Sequence, residues 1–464
     1  VDTLEGSGGL DNIDAGAGND IIKITTNADF QTTGGTETVD GGAGTDTLSF
    51  AQNADTTITA PELSTVSNIE VIDVTNTLDN KQMTLTLSQA FMDNNNGTIT
   101  IDGNEDNHAD ADHNINASTV STGSVIFQME GATTGKNDTF TGGGGDDKVI
   151  VGVNLQTAAS TVELEDGDIL NGNGGTDTIE IDNRGDASTG GAGGATIHID
   201  FDDVTNFEKI VVKDADGSTT AADAIRIDLN GTVATAAVPV TFEVDASVIT
   251  DADDDLRFNY DSDNTAAYNA ALTTHFTLKG GAGDDTIYGS AGSDTITTGS
   301  GTNVVVTGGA STVNSGAGGD HVTGGSGIDD VTGGAGADTI NAEGGNDIIA
   351  GGAGNDIIDA GSGADAITGG TGLDNITTGA GNDTVKFAAG DSAGATTDVV
   401  SDFTATTAAG VEGDKIQINL TLPAGGITYT ETDRGDSAST AEAPGFLGGV
   451  RGDFVFIDGT ETLS

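Results

Sequence analysis

Acidic side chains recur at fixed intervals along this chain, and their spacing is the first sign of chemistry. Asp285 and Asp294 stand nine residues apart, and from Asp320 the same step gives Asp329, Asp338, Asp347, Asp356, Asp365, Asp374 and Asp383. Asn303 occupies the same phase. Each closes a glycine-rich phrase of the form Gly-Gly-x-Gly-x-Asp-x-(Ile/Val)-x, as in GGAGDDTIY from 280, GGAGADTIN from 333 and GGAGNDIIA from 351. Glycine permits positive φ and leaves carbonyl oxygens uncovered, and aspartate adds a charged oxygen. A set made only of oxygens suits calcium, which takes six to eight such ligands. Magnesium demands a tighter octahedron and keeps its waters, and zinc wants His or Cys. Turns two copies apart, such as those of Asp338 and Asp356 or Asp347 and Asp365, are expected to share an ion.

The elements that must position these groups follow from the eighth position of each phrase. It is β-branched and apolar in all twelve copies between 280 and 386, from Ile287 through Val385. One inward apolar residue flanked by outward polar ones is the alternation of a half-buried strand. A nine-residue unit cannot bury that side chain alone, so units must stack, two to a coil of eighteen residues. Disordered linker sequence has no reason to keep Ile and Val in phase over twelve units. The expected fold is therefore all-β, a parallel β-roll or β-helix solenoid with calcium-binding turns, interleaved with further β-rich modules.

These residues resemble the RTX family of secreted proteins, whose β-rolls carry this nonapeptide and bind calcium. The resemblance covers 280–386 at near-consensus level. The same phrase returns in GSGGLDNID from 6, AGAGNDIIK from 15, GGAGTDTLS from 41, TTGKNDTFT from 133, GGGGDDKVI from 142 and GNGGTDTIE from 172. By position it nominates Asp11, Asp20, Asp46, Asp138, Asp147 and Asp177 as further ligands. Asp168 joins them from a turn opening at Glu163 that lacks the glycines. The weak point is copies three and four, with Asn303 for Asp and a phrase from 307 one residue short; fewer or weaker ions are expected near 303–312.

The organisation expected is N-terminal repeat turns over 1–49, a β-rich module over 50–132, repeat turns over 133–182, a second module over 183–279, the twelve-copy roll over 280–387 and a C-terminal cap over 388–464. The modules share a phrase, Ser67-Asn68-Ile69-Glu70 in one and Thr205-Asn206-Phe207-Glu208 in the other. Either they extend the solenoid or they pack as sandwich-like sheets. Only 88–93 and 266–272 read as helical. The cap, with Asp398, Asp402, Phe403 and Gly413-Asp414-Lys415-Ile416, is similar to the pattern that ends β-rolls in many RTX proteins, and it would cover the last apolar coil.

Charge sets the remaining bounds. With 74 Asp and Glu against 14 Lys and Arg the formal net charge is −60, and a compact body carrying it repels itself. Roughly ten ions in the roll would supply about +20. Nucleic acid is excluded as a partner by the lack of a basic patch. There is no Cys, so disulfides and thiolate sites are absent and metal is the available staple. His108, His113, His198, His275 and His321 form no His-Glu-x-x-His or nucleophile pattern, and no catalysis is expected. The acidic stretches 102–114 and 251–255 read as solvated loops able to hold further calcium rather than a transition metal. Arg-Gly-Asp at 184–186, 434–436 and 451–453 reads as turn composition. Secreted, duplicated and non-catalytic, the chain resembles RTX-type surface-layer proteins of Gram-negative bacteria. That resemblance implies type I secretion, an extracellular place on the cell surface, homo-oligomeric self-assembly, and lipopolysaccharide as a partner through a region outside this chain. An RTX adhesin or extracellular matrix filament is the alternative, and the non-catalytic part of a type I secreted hydrolase a third.

Overall fold

The computed structural model describes residues 1–6, 11–24, 38–50, 55–74, 82–103, 112–130, 138–154, 162–164, 168–184, 196–200, 204–214, 224–228, 241–247, 255–258, 275–290, 292–388, 391, 398–403 and 413–419. The chain forms two compact units, Val1–Gly309 and Ala310–Ser464. The division falls inside the short, aspartate-poor fourth copy.

In the second unit every ladder is parallel and advances by one coil. One face runs through Thr312–Asn314, Asp330–Ala335, Ile348–Ala353, Ala366–Thr371, Thr384–Ala388 and Lys415–Asn419. The opposite face runs through His321–Gly325, Thr339–Glu343, Ile357–Asp359, Asn375–Thr377 and Val399–Val400. Register is set by the apolar position: Ile349 lies beside Ile367, and Ile340 beside Ile358. A shift by one residue would turn these side chains to solvent. None of the twelve eighth-position residues is more than 1% exposed.

The first unit is itself a solenoid, with many coils longer than eighteen residues. Its main ladder passes from Thr3–Glu5 through Ile21–Ile24, Thr47–Phe50, Val71–Asp73, Thr98–Asp102, Ser124–Glu130, Lys148–Asn154, Thr178–Arg184, Lys209–Asp214, Thr241–Asp245 and His275–Lys279 to Thr295–Thr297, parallel throughout. The modules therefore extend the solenoid rather than form a sandwich. Their wider coils need larger fillers, and Phe91, Phe127, Phe140, Phe207, Phe242, Phe258 and Phe276 are buried there. Phe127 stacks on Phe140 with centroids 6.0 Å apart, and Phe258 meets Phe276 edge-on at 5.2 Å. The one α-helix among the described residues, Gln89–Asn94, is capped by the Ser88 side chain and buries Phe91 and Met92, as the 88–93 segment led one to expect. The segment 266–272 lies outside the described residues, as do most of both acidic loops and the last two Arg-Gly-Asp triplets.

Candidate calcium centres

The turns between strands stack as closely as the strands do. At Gly352, φ is 118°, and a β-carbon there would collide with the Gly334 carbonyl oxygen of the coil before. No other residue type tolerates both the angle and the approach. Where a copy opens on glycine, that glycine is different: a β-carbon at Gly333 would lie 2.5 Å from Gly351 O and 2.6 Å from Asp338 Oδ2, whereas the copies of Asp347, Asp365 and Asp383 open on Ala342, Ala360 and Thr378. At Gly324 it would lie 2.7 Å from both Ala342 O and Asp329 Oδ2. Omission of that side chain leaves a gap lined by a carboxylate oxygen and a carbonyl from the next coil.

The aspartates themselves form a column. The backbone N–H of Asp338 donates to Asp356 Oδ1 at 2.9 Å, that of Asp356 to Asp374 Oδ1 at 3.0 Å, and that of Asp374 to Asp398 Oδ1 at 3.0 Å. On the other edge Asp329 donates to Asp347, Asp347 to Asp365, Asp365 to Asp383 and Asp383 to Asp414. Asp320 donates to Asp338 at 2.8 Å. One oxygen of each carboxylate is thus committed to the preceding coil's backbone, a role that spacing alone did not disclose.

The second oxygen is left over. Oδ2 of Asp20, Asp46, Asp177, Asp338, Asp347, Asp356, Asp365, Asp374 and Asp383 is buried with no hydrogen-bond partner. A buried, unpaired carboxylate oxygen is costly. Burial, with neighbouring carboxylates adding to it in all four cases, pushes Asp347, Asp356, Asp365 and Asp383 up to about 6. Burial likewise raises Asp177 to about 7, and raises Asp147, Asp294, Asp338 and Asp374. The donors are all oxygens, and among the described residues no three His, Asp or Glu side chains gather at one point. Such a set of one carboxylate with backbone carbonyls fits a hard divalent cation of calcium's size.

The other predicted positions, Asp11 apart, occupy the same place, some in eighteen-residue coils and some in longer ones. Asp2 N–H donates to Asp20 Oδ1, Asp20 N–H to Asp46, Asp138 N–H to Asp168 and Asp147 N–H to Asp177. Asp168 thus belongs to the column although its turn lacks the glycines of the repeat. His113 N–H donates to Asp138, Val125 N–H to Asp147, Leu256 N–H to Asp285 and Phe276 N–H to Asp294. In Asp147, Asp285, Asp294 and Asp329 the second oxygen accepts from the turn's own backbone, at Gly143, Gly281, Ser290 and Gly325. Asp11 is half-buried beside Gly6. Asn303 stands in for aspartate, accepting from Asp285 N–H at 2.9 Å while its amide donates to Gly301 O at 3.3 Å. Ser311, in the short copy, donates its N–H to Asp329 Oδ1 at 2.7 Å.

Residues 1–23, 31–56, 132–153 and, in overlapping matches, 277–392 fit the profile of the RTX calcium-binding nonapeptide repeat. The chain carries RTX repeats. RTX repeats bind calcium, and proteins that carry them are typically secreted and extracellular. No curated protein matches the chain.

Sequence reasoning missed Glu70 and Glu208. Their Oε2 atoms accept from the N–H of Asp46 at 2.8 Å and of Asp177 at 2.7 Å, where the column would otherwise place an aspartate. The duplicated phrase was the available signal.

Proposed function

We propose that this RTX chain is a secreted structural protein, without catalytic activity, whose folding is gated by calcium and whose folded form self-assembles into a layer on a bacterial cell surface. The observation that carries the reading is the column of buried carboxylates, in nine of which one oxygen holds the previous coil and the other is buried without a partner, beside an oxygen-lined gap wherever the copy opens on glycine. Asp338, Asp347, Asp356, Asp365, Asp374 and Asp383 in the roll, with Asp20, Asp46 and Asp177 upstream, would hold the ions. Bound calcium supplies positive charge where the protein has buried negative charge without a partner.

In a medium poor in calcium, the buried Oδ2 atoms and the net charge of −60 both oppose compaction. An unfolded chain is what a secretion channel can pass. Extracellular modules bind calcium at about 10⁻⁴ to 10⁻³ M, so folding is confined to the outside medium, and ion binding is folding free energy. Surface carboxylates left over after folding can share ions with those of a neighbouring copy, which favours assembly of like with like.

Circular dichroism in chelator and then in millimolar calcium tests the first half: coil converting to β-structure is expected, and a full β-spectrum in chelator would refute it. Electron microscopy of the calcium-treated chain tests the second half. A two-dimensional lattice is expected; filaments would move the assignment to an adhesin or matrix subunit.

A further inference from the structure

The phrases Ser67-Asn68-Ile69-Glu70 and Thr205-Asn206-Phe207-Glu208 stand where the glycine-rich turn is missing, outside every segment that fits the repeat profile, and they make one shared set of contacts. Thr47 pairs with Val71 and Thr178 with Lys209, which puts Glu70 opposite Asp46 and Glu208 opposite Asp177. Asn68 and Asn206 have φ of 54° and 56°, the left-handed region that asparagine tolerates among non-glycine residues. Their side-chain amides donate to Asp40 Oδ1 and Asn171 Oδ1, each at 2.7 Å, which pins the residue ahead of the glycine turn. Ile69 and Phe207 are buried beneath.

This geometry turns the asparagine carbonyl into the gap. A β-carbon at Gly41 would collide with Asn68 O and lie 2.9 Å from Asp46 Oδ2, and one at Gly172 would collide with both Asn206 O and Asp177 Oδ2. These are the relations Gly333 has with Gly351 O and Asp338 Oδ2 inside the roll. Asp46 and Asp177 are each 0% exposed, and the Oδ2 of each has no partner. The turn from Asn68 to Glu70 spans two residues where Gly41 to Asp46 spans five. Glutamate's extra methylene lets the shorter turn still reach the backbone N–H of the coil before. Beyond the first phrase, Ile69 N–H donates to the side chain of Asn95, which is 1% exposed and uncharged, so no further carboxylate is buried on that edge at the next coil.

We propose that each phrase supplies the half of a calcium site that no repeat motif marks. Asp46 with the Asn68 carbonyl holds one ion, and Asp177 with the Asn206 carbonyl holds another. Glu70 and Glu208 are positioning residues that fix the aspartate's backbone. The first phrase is thus the point where a metal-bearing turn hands over to a coil without a buried carboxylate on that edge. The inference rests on the calcium reading above.

The test uses the full chain, equilibrated with calcium, freed of excess by gel filtration, and assayed for ions per chain by plasma mass spectrometry. Asn68→Val and Asn206→Val place a β-branched residue at positive φ and should each remove one ion, the double variant two; Asn68→Gly and Asn206→Gly should retain both. Glu70→Leu should weaken its site tenfold or more, with Glu70→Gln rescuing it by preserving the acceptor. An ion count unchanged in the folded Asn68→Val/Asn206→Val double variant would overturn the proposal while leaving calcium binding elsewhere intact. A wild-type chain with no bound ions would overturn the calcium reading itself. Should the valine variants not fold, hydrogen exchange decides on the wild type folded in both media, by calcium in one and by trimethylamine oxide in chelator in the other: the Asp46 and Asp177 amides should exchange at least tenfold more slowly in calcium, and equal rates would refute the two sites.

Discussion

Replacing Asp356 by asparagine should change stability in opposite directions with and without calcium. Asp356 does two separable jobs: Oδ1 accepts from Asp338 N–H at 2.9 Å, and Oδ2 is a buried charge without a partner. Asparagine preserves the first and removes the second. Asn303 shows that an amide fits this place, since it accepts from Asp285 N–H and donates to its own turn. In chelator at neutral pH, relief of the buried charge stabilises the variant. The rise of Asp356 from 3.8 to about 6 corresponds to at most about 3 kcal/mol, and solvent screening at the turn edge reduces that to about 1–2 kcal/mol. In calcium the sign reverses, because a site filled at a hundred times its dissociation constant contributes about 2.7 kcal/mol that the variant loses. The measurement in chelator is folding induced by trimethylamine oxide, followed by circular dichroism, because the wild type is expected to be unfolded there. In calcium, guanidinium unfolding serves. The combined Asp347→Asn, Asp356→Asn, Asp365→Asn and Asp383→Asn variant should widen the gap and fold at markedly lower osmolyte. Equal destabilisation in both media would refute the reasoning, because the carboxylate would then act as a backbone acceptor alone.

Acidification should fold the metal-free chain. Asp347, Asp356, Asp365 and Asp383 have folded values of about 6 against 3.8 unfolded, so between about pH 4 and 6 the folded state binds more protons and stability rises as pH falls. Circular dichroism in chelator should show more β-structure at pH 4.5 than at 7.5, and a flat or inverted profile would contradict the buried-charge account. Gly351→Ala puts a β-carbon 2.5 Å from Gly369 O and against Asp356 Oδ2; it should lower calcium affinity at that turn tenfold or more and cost about 1–3 kcal/mol. Gly174→Ala is the control, because nothing lies within 4 Å of its β-carbon, and thermal unfolding in calcium should leave it unchanged or slightly stabilised.

The sequence by itself determined the coil. A β-branched residue in constant phase from Ile287 to Val385, with glycines at fixed offsets, admits parallel stacking and little else, because each inward side chain needs the next to exclude water. It determined the chemistry as well, because oxygen-only turns in a chain of −60 charge point to a hard cation. Two things were settled only in three dimensions. Whether 50–132 and 183–279 continue the solenoid depended on strand pairing between residues 22 to 35 apart, which varied coil lengths conceal from any fixed period; Phe127 and Phe140, stacked inside, fill a width that the eighteen-residue coil does not have. The division of labour within each carboxylate, one oxygen to the backbone behind and one to the gap, is equally invisible in composition. It follows from coil-to-coil register, and the same register gives Glu70 and Glu208 the place of an aspartate that the repeat motif would have demanded.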